Sequence, residues 1–263
     1  MCLCLEFDKN ANSFGINTAM LVILISLATI GVCVFCAVTS VAALFIFMEE
    51  RSFMSTERQR TGYPSVGLVA AKNIEKALES VALAYEDYPM FDYLVGGHSK
   101  ATSIKQIILS SMVASKVDYI GLSFGENDEA VAIFIQPNYK GAPALPFLFK
   151  GGFKLILMHS LSIVFRLLNY ENHAMKIKEK YSDDNCWYLY SLTVHPNFQH
   201  NGLATKVMQP MLDFFDATGQ SCYLETNKEC NIAMYEHYGF KLMEADSIPG
   251  TDVMHYAMRR DPQ

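Results

Sequence analysis

The distribution of apolar and polar positions divides the chain into two parts. From Ala11 to Met48 there is not one charged residue, and Ala19 to Met48 is almost wholly apolar. A membrane-spanning helix needs about 20 such residues. Residues 19–48 therefore predict one N-terminal transmembrane helix, long enough to tilt. The tail before it, residues 1–18, holds Glu6, Asp8 and a single Lys9. A secretory signal has a basic start and an apolar region of only about 7–15 residues, so the pattern is that of a retained anchor. Arg51, Arg58 and Arg60 follow the span, and the positive-inside rule then predicts a single-pass membrane protein whose following domain faces the cytosol. Residues 49–62 are polar and mixed in charge and read as a linker. Residues 63–263 read as one domain, long enough for one well-buried core.

Within that domain the hydrophobic period changes from element to element. Val66 to Ala70 is a short apolar run and predicts a strand. Asn73 to Tyr85 sets Ile74, Ala77, Leu78, Val81 and Ala82 on one helical face, and Glu86 to Met90 breaks that helix. Lys100 to Ser115 predicts a second helix with Ile104, Ile107, Ile108 and Met112 inward. Tyr119 to Phe124 and Ala130 to Gln136 read as two strands joined by a turn at Gly125, a hairpin signal. Phe147 to Leu168 is apolar, but Lys150, Lys154, His159 and Arg166 interrupt it and argue against a second span. Gly151-Gly152 divides this run, leaving a helix from Phe153 to Asn169 and a polar helix from about Glu171 to Lys180. These two helices predict extra packing on the sheet, a lid over a pocket, or both. Trp187 to Val194 reads as a buried strand. Ser221 to Thr226 predicts a strand, Glu229 to Tyr238 a helix, and Phe240 to Glu244 with Val253 to Met258 the closing strands. The class is α/β.

One junction stands out. Val194-His195-Pro196-Asn197-Phe198-Gln199-His200-Asn201-Gly202-Leu203-Ala204-Thr205 lies between a strand and a helix from Lys206 to Asp216 with apolar residues at 207, 208, 211, 212, 214 and 215. Pro196 ends the strand because it cannot donate to a ladder. A polar loop entering a helix exposes unpaired N–H groups at the positive end of the helix dipole. That arrangement suits a diphosphate.

Composition narrows the chemistry. The chain has 263 residues, 51% of them hydrophobic, and a net charge of −6. With no strongly basic block, nucleic acid is not expected as a partner. Cys2, Cys4, Cys33, Cys36, Cys186, Cys222 and Cys230 show no framework spacing, and no Asn-x-Ser/Thr sequon is present. Both features suit reduced cytosol. Cys33 and Cys36 lie inside the apolar run and read as packing; Cys2 and Cys4 are candidates for lipidation. The seven histidines form no His-Glu-x-x-His spacing, so no metal is implied.

Gln199, Gly202 and Ala204, led in by Val194-x-Pro196, resemble the pyrophosphate loop of the GNAT N-acetyltransferase family. A second block, Asn231, Tyr235, Gly239 and Phe240, matches that family's second half at the expected distance. His200 departs from the pattern, standing where the family has its first loop glycine. It either points to solvent or offers a donor to phosphate when protonated. The resemblance implies a mixed, mostly antiparallel sheet wrapped by helices, with acetyl-CoA as co-substrate. Gln199, His200, Asn201, Gly202, Leu203, Ala204 and Thr205 would hold its diphosphate. Leu192, Thr193 and Val194 would offer free backbone to the thioester and pantetheine. Asn231 would contact the pantetheine arm, and Tyr235 would be the general acid. Glu225, which alternates away from Leu224, is a candidate general base, beside a water chain with no dedicated base. Asp87 and Tyr88, after the first helix, are candidates for the acceptor pocket. Ala84 to Pro89, Trp187-Tyr-Leu, Leu224-Glu-Thr226 and the Pro249-Gly ending are similar to the puromycin N-acetyltransferase group of the family, which implies a small-molecule amine acceptor. Two alternatives stand: a protein lysine or N-terminal acetyltransferase, and a CoA-binding sensor without turnover. Ala204 and His200 allow the sensor; Tyr235 and Asn231 oppose it.

Overall fold

The computed structural model describes residues 74–115, 119–137, 139–141 and 144–263. The chain divides into units Met1–Glu49 and Glu50–Gln263, and every described residue belongs to the second. The expected tail, anchor and linker, the strand Val66 to Ala70, and Cys2, Cys4, Cys33 and Cys36 lie outside the described residues. Among the described residues no helix is long and apolar enough to cross a membrane.

Six strands form one sheet in the order β1-β2-β3-β4-β6-β5. They are β1 (Tyr119–Phe124), β2 (Ala130–Ile135), β3 (Cys186–Val194), β4 (Ser221–Thr226), β5 (Lys241–Ser247) and β6 (Met254–Arg260). Only the central pair β3 and β4 is parallel; the other pairings are antiparallel. The helix α7 (Leu203–Thr218) makes the β3-to-β4 crossover that a parallel pair requires. Period-two alternation sorts β2 between two layers. Val131 and Ile133 pack with the N-terminal helices α1 (Ile74–Ala84), α2 (Pro89–Val95) and α3 (Ala101–Ser115). Ala130, Ala132 and Phe134 pack on the other face against Val207, Met208, Met211, Leu212 and Phe215 of α7.

Two expectations change. The first helix breaks as expected, at residues 85–88, but residues 89–95 then form a short helix that the sequence did not predict. Pro89 is its first residue, Gly96 caps its end at φ 78°, and Phe91 and Leu94 are buried. Proline at that position gives up an N–H that has no intrahelical partner anyway. The segment before β3 breaks at its glycines, as expected, and once more further on. Between α4 (Ala144–Phe147) and α5 (Phe153–His159) the chain kinks where Lys150 and Gly151 leave helical backbone, Gly151 at φ 126°, and a second break falls at Ser160, with φ 70°. From Ser162 to Tyr181 the chain is one 20-residue helix, α6. Asn172, Lys176, Glu179 and Lys180 form its exposed face. Tyr170, Ala174, Ile177 and Lys178 keep the buried stripe continuous, at the spacing of one helical face.

Candidate active site

The loop after β3 is shaped by its own side chains. Gln199 Nε2 donates to the carbonyl of Val194 (3.3 Å), and Asn201 Nδ2 donates to the carbonyls of Phe198 and Gln199 (both 3.2 Å). His200 and Gly202 both take left-handed backbone, at φ 64° and 70°. Gly202 is the N-cap of α7 and supplies no capping side chain. The first amides of a helix have no partner within it, so those of Leu203, Ala204 and Thr205 remain available at the positive helix end. A Cβ placed on Gly202 would meet nothing within 4 Å, so there is open space above the loop. This chemistry fits an anion held by main-chain N–H groups. The Thr205 hydroxyl, 3.0 Å from that of Tyr238, is already engaged.

Beside the loop the two central strands part. The β3–β4 ladder runs from Cys186↔Ser221 to Leu189↔Leu224 and stops. Beyond it Ser191, Leu192, Thr193 and Val194 pair with β2 alone. A register shift in β2 between Ile133 and Phe134 skips Tyr190, so β3 bulges where the ladder ends. The β4-facing edge at Leu192, Thr193 and Val194 therefore carries main-chain groups outside any ladder. Tyr235, on α8 (Cys230–His237), is buried under this region with its ring 5.9 Å from that of Phe240. Burial raises its phenol well above the ordinary range, and Tyr85 and Tyr88 push it further. Asn231 Nδ2 donates to Thr226 Oγ1 (3.0 Å), and the Tyr88 hydroxyl lies 2.9 Å from the same oxygen.

On the α1–α6 side the parted strand opens on a cavity of about 80 Å³. A single water needs roughly 10–15 Å³ in this measure, so the space holds several waters or the head of one small amine. Tyr85, Tyr88, Tyr139, Tyr170, Tyr188 and Tyr190 line it, with Ser191 at the β3 edge and two carboxylates, Glu171 and Glu225. Glu225 accepts from the Tyr188 hydroxyl on one oxygen, and from His255 Nε2 (2.6 Å) and the Tyr223 hydroxyl (3.5 Å) on the other. Burial pushes its pKa up, but His255 and Tyr188 outweigh burial and hold it below the ordinary value. Glu171, on α6, is pushed up to about 7 by burial and by the Glu225 charge. Lys178 is buried and donates to the carbonyl of Tyr139 (2.9 Å), and burial lowers its pKa.

The sequence-derived candidates, Asp87 apart, thus fall into four groups. Gln199 through Thr205 form the loop and helix start, Leu192 through Val194 form the strand edge beyond the β4 ladder, and Tyr88 and Glu225 line the cavity. Asn231 and Tyr235 sit beneath the parting strands. Asp87 is elsewhere: its side chain is 77% exposed, 3.4 Å from His98 and outside the cavity wall. Asp87, Asp92 and His98 hold their ligand atoms within 4.8 Å of one another, and Asp92 already accepts from the amide of Ser99 (2.8 Å). Glu171, Tyr85, Tyr188 and His255 are the residues sequence reasoning missed.

Fold and site together define an α/β acyltransferase, with a loop of main-chain amides, a parted pair of strands and a small cavity beside Tyr190 and Ser191 of β3. Residues 167–240 match the family described as Acetyltransferase (GNAT) family. The chain carries a GNAT acetyltransferase domain, and that family uses acetyl-CoA to acetylate amines. It is similar to an uncharacterized N-acetyltransferase of Schizosaccharomyces pombe, 28% identical over 198 residues, covering 65% of this chain and 72% of that protein. Among solved structures it is similar to arylalkylamine N-acetyltransferase 2 from Aedes aegypti, at 15% identity and TM-score 0.49, over 74% of this chain and 97% of that one. It is also similar to a ribosomal-protein alanine N-acetyltransferase from Escherichia coli, at 16% identity and TM-score 0.33, over 56% and 69% of the two chains. The acceptor named for each belongs to that protein.

Proposed function

We propose that this protein transfers the acetyl group of acetyl-CoA to the amine of a small molecule, with Tyr235 as general acid. One observation carries the reading: the cavity against the free β3 edge is small, aromatic and acidic, and α6 closes one side of it. Such a space admits a compact cation and excludes a folded partner or an extended main chain. Tyrosine faces and two carboxylates attract an ammonium group.

The residues divide the work. Leu203, Ala204 and Thr205 offer amides to the diphosphate, and the β3 edge at Leu192 to Val194 offers main-chain groups to the thioester and the pantetheine arm. Donors aimed at the thioester oxygen stabilise the charge that develops there. The amine attacks from the cavity side. The departing thiolate then takes a proton from Tyr235. A thiol pKa near 8.5 makes this thiolate a tolerable leaving group, so the tyrosine trims the barrier without carrying it. Asn231 acts on this reading through Thr226, whose hydroxyl it fixes along with that of Tyr88. The apolar run 19–48 supports a membrane tether for the domain.

The test is thiol release from acetyl-CoA by the full chain, with ethylamine, 1,4-diaminobutane and 2-phenylethylamine compared against peptides bearing a free N-terminus or lysine. Turnover with the small amines is expected. Turnover confined to peptides would move the acceptor to protein tails. Tight acetyl-CoA binding with no thiol released by any acceptor would leave a sensor in place of an enzyme.

A further inference from the structure

We propose that Glu171 is the carboxylate that takes the proton from the incoming ammonium, while Glu225 stays ionised and holds that ammonium in place. This rests on the acetyl-transfer reading above. Both side chains line one cavity, Glu225 from β4 and Glu171 from α6 across it. Their surroundings differ. Each Glu225 oxygen already accepts from a protein donor: Tyr188 on one, His255 and Tyr223 on the other. A proton placed there would face a donor hydrogen and displace it. Among the described residues no donor bonds the Glu171 carboxylate, and one of its oxygens lies 3.6 Å from the point where a Cβ on Gly141 would stand. Its lone pairs are open to the cavity.

Two carboxylates in one desolvated space repel, and the one with weaker support yields. Glu171 is that one, moved up to about 7, while Glu225 is held low. A pair of acids driven apart in this way marks separate acid–base roles. A base working near neutral pH is also best matched by a pKa near neutral. The other groups facing the cavity are poorly suited. Burial raises the phenols of Tyr85, Tyr88, Tyr139, Tyr170, Tyr188 and Tyr190. Lys178 is bound to the Tyr139 carbonyl, and His255 Nε2 to Glu225. His173, stacked edge-on with His255, is pushed down by burial and lies outside the wall.

The proton count closes. The ammonium gives one proton to Glu171 and becomes a free amine. Its nitrogen bonds the thioester carbon, the carbon–sulfur bond breaks, and the electron pair leaves on sulfur. The thiolate takes its proton from Tyr235, and the nitrogen's second proton, lost as the amide forms, restores the Tyr235 hydroxyl. Glu171 then releases its proton to water through the cavity mouth.

The test compares wild type, Glu171→Gln, Glu171→Asp and Glu225→Gln as full chains, using whichever of the three small amines turns over fastest. Wild-type kcat/KM should rise as pH passes about 7. Glu171→Gln should lose that step and fall by about 10²-fold or more, the usual scale for a positioned base. Its acetyl-CoA affinity by calorimetry should be unchanged. Glu171→Asp should recover part of the step, and Glu225→Gln should raise the amine KM and keep a step that moves to lower pH, because the Glu225 charge no longer raises Glu171. In the infrared, a protonated-carboxyl band should grow below pH 7 in wild type and be missing in Glu171→Gln. Wild-type turnover and pH step in Glu171→Gln, or a band that survives the substitution, overturns the proposal. No thiol release from wild type with any amine overturns the transfer reading as well, so the two failures are distinguishable.

Discussion

The two walls of the site are built in opposite ways. The proposed acyl-donor wall is main chain: a loop with two left-handed residues, a helix start and a strand edge released from its ladder. The proposed acceptor wall is side chain: tyrosines and carboxylates delivered by the turn after α1, the loop after β2, α6, β3 and β4, from Tyr85 to Glu225 in sequence. A backbone site depends on a few glycines and on where a strand stops, so many side chains around it can change without harm. A side-chain site depends on every rotamer that reaches it. The two walls should therefore answer substitution differently, and four variants press on that difference.

Beside Glu171→Gln, whose turnover is treated above, Tyr235→Phe should have the largest effect, because Tyr235 sits where the walls meet. Phenylalanine keeps the packing on Phe240 and removes only the hydroxyl. We expect kcat to fall about 10²-fold, the low end for general acid catalysis, with the acetyl-CoA KM unmoved. An unchanged kcat would remove Tyr235 from the chemistry. Gly202→Ala comes next and strikes the donor wall alone. The added methyl meets nothing within 4 Å, so the whole cost is left-handed backbone, about 1 kcal/mol. That corresponds to a Tm loss of about 2–4 °C for a domain of this size. If the loop amides bind the diphosphate, turning them should raise the acetyl-CoA KM about tenfold, since a bond to a charged acceptor is worth about 1.5–3 kcal/mol. The same Tm loss with no change in KM would show that the anion binds elsewhere.

Stability probes the acceptor wall without any substrate. Glu171 binds its proton more tightly when folded, near pH 7 against an ordinary value of 4.5. Between those values the folded state holds more protons than the unfolded one, so stability falls as pH rises through the window. Glutamine is neutral throughout. Glu171→Gln should therefore melt above wild type at pH 8, and the gap should close by pH 4. A gap that is constant with pH would mean that Glu171 is not perturbed in the folded protein.

The same division explains how much could be read from the chain. Main-chain chemistry leaves local marks: Pro196 ending a strand, Gly202 before a helix, and apolar residues at 207, 208, 211, 212 and 215 facing the core. That wall, the hairpin of β1 and β2, and the order of elements after β3 were legible. The acceptor wall was not, because its members lie far apart and meet only through tertiary packing. Tyr88 and Glu225 could be picked one at a time. Nothing in the sequence says that Glu171 faces Glu225 or that His255 fixes it, since that pairing depends on α6 lying across the sheet. Asp87 drew notice as the acid beside Tyr88, but a left-handed turn at φ 56° sends it to solvent. Even the helix boundaries failed there, because the outer face of α6 is polar enough to resemble a separate helix.

His200 gives the smallest effect and the finest contrast between the walls. The family pattern has glycine at this position, and the structure gives a reason: the backbone stands at φ 64°. A non-glycine residue held there costs about 1–3 kcal/mol, and histidine is among the side chains that tolerate it best. Glycine would relieve that strain but would also loosen the unfolded chain, which offsets about 0.4–1 kcal/mol. The net change should be small and favourable, about 2 °C in Tm or less by the same size scaling. The imidazole is exposed, while the anion-binding groups proposed here are amides. His200→Gly should therefore leave the acetyl-CoA KM unchanged or lower it. Calorimetry of CoA binding at pH 5.5 and pH 8 decides the point. If wild type binds more tightly at the lower pH and His200→Gly does not, the imidazolium is a ligand to phosphate, and the donor wall contains one side chain after all.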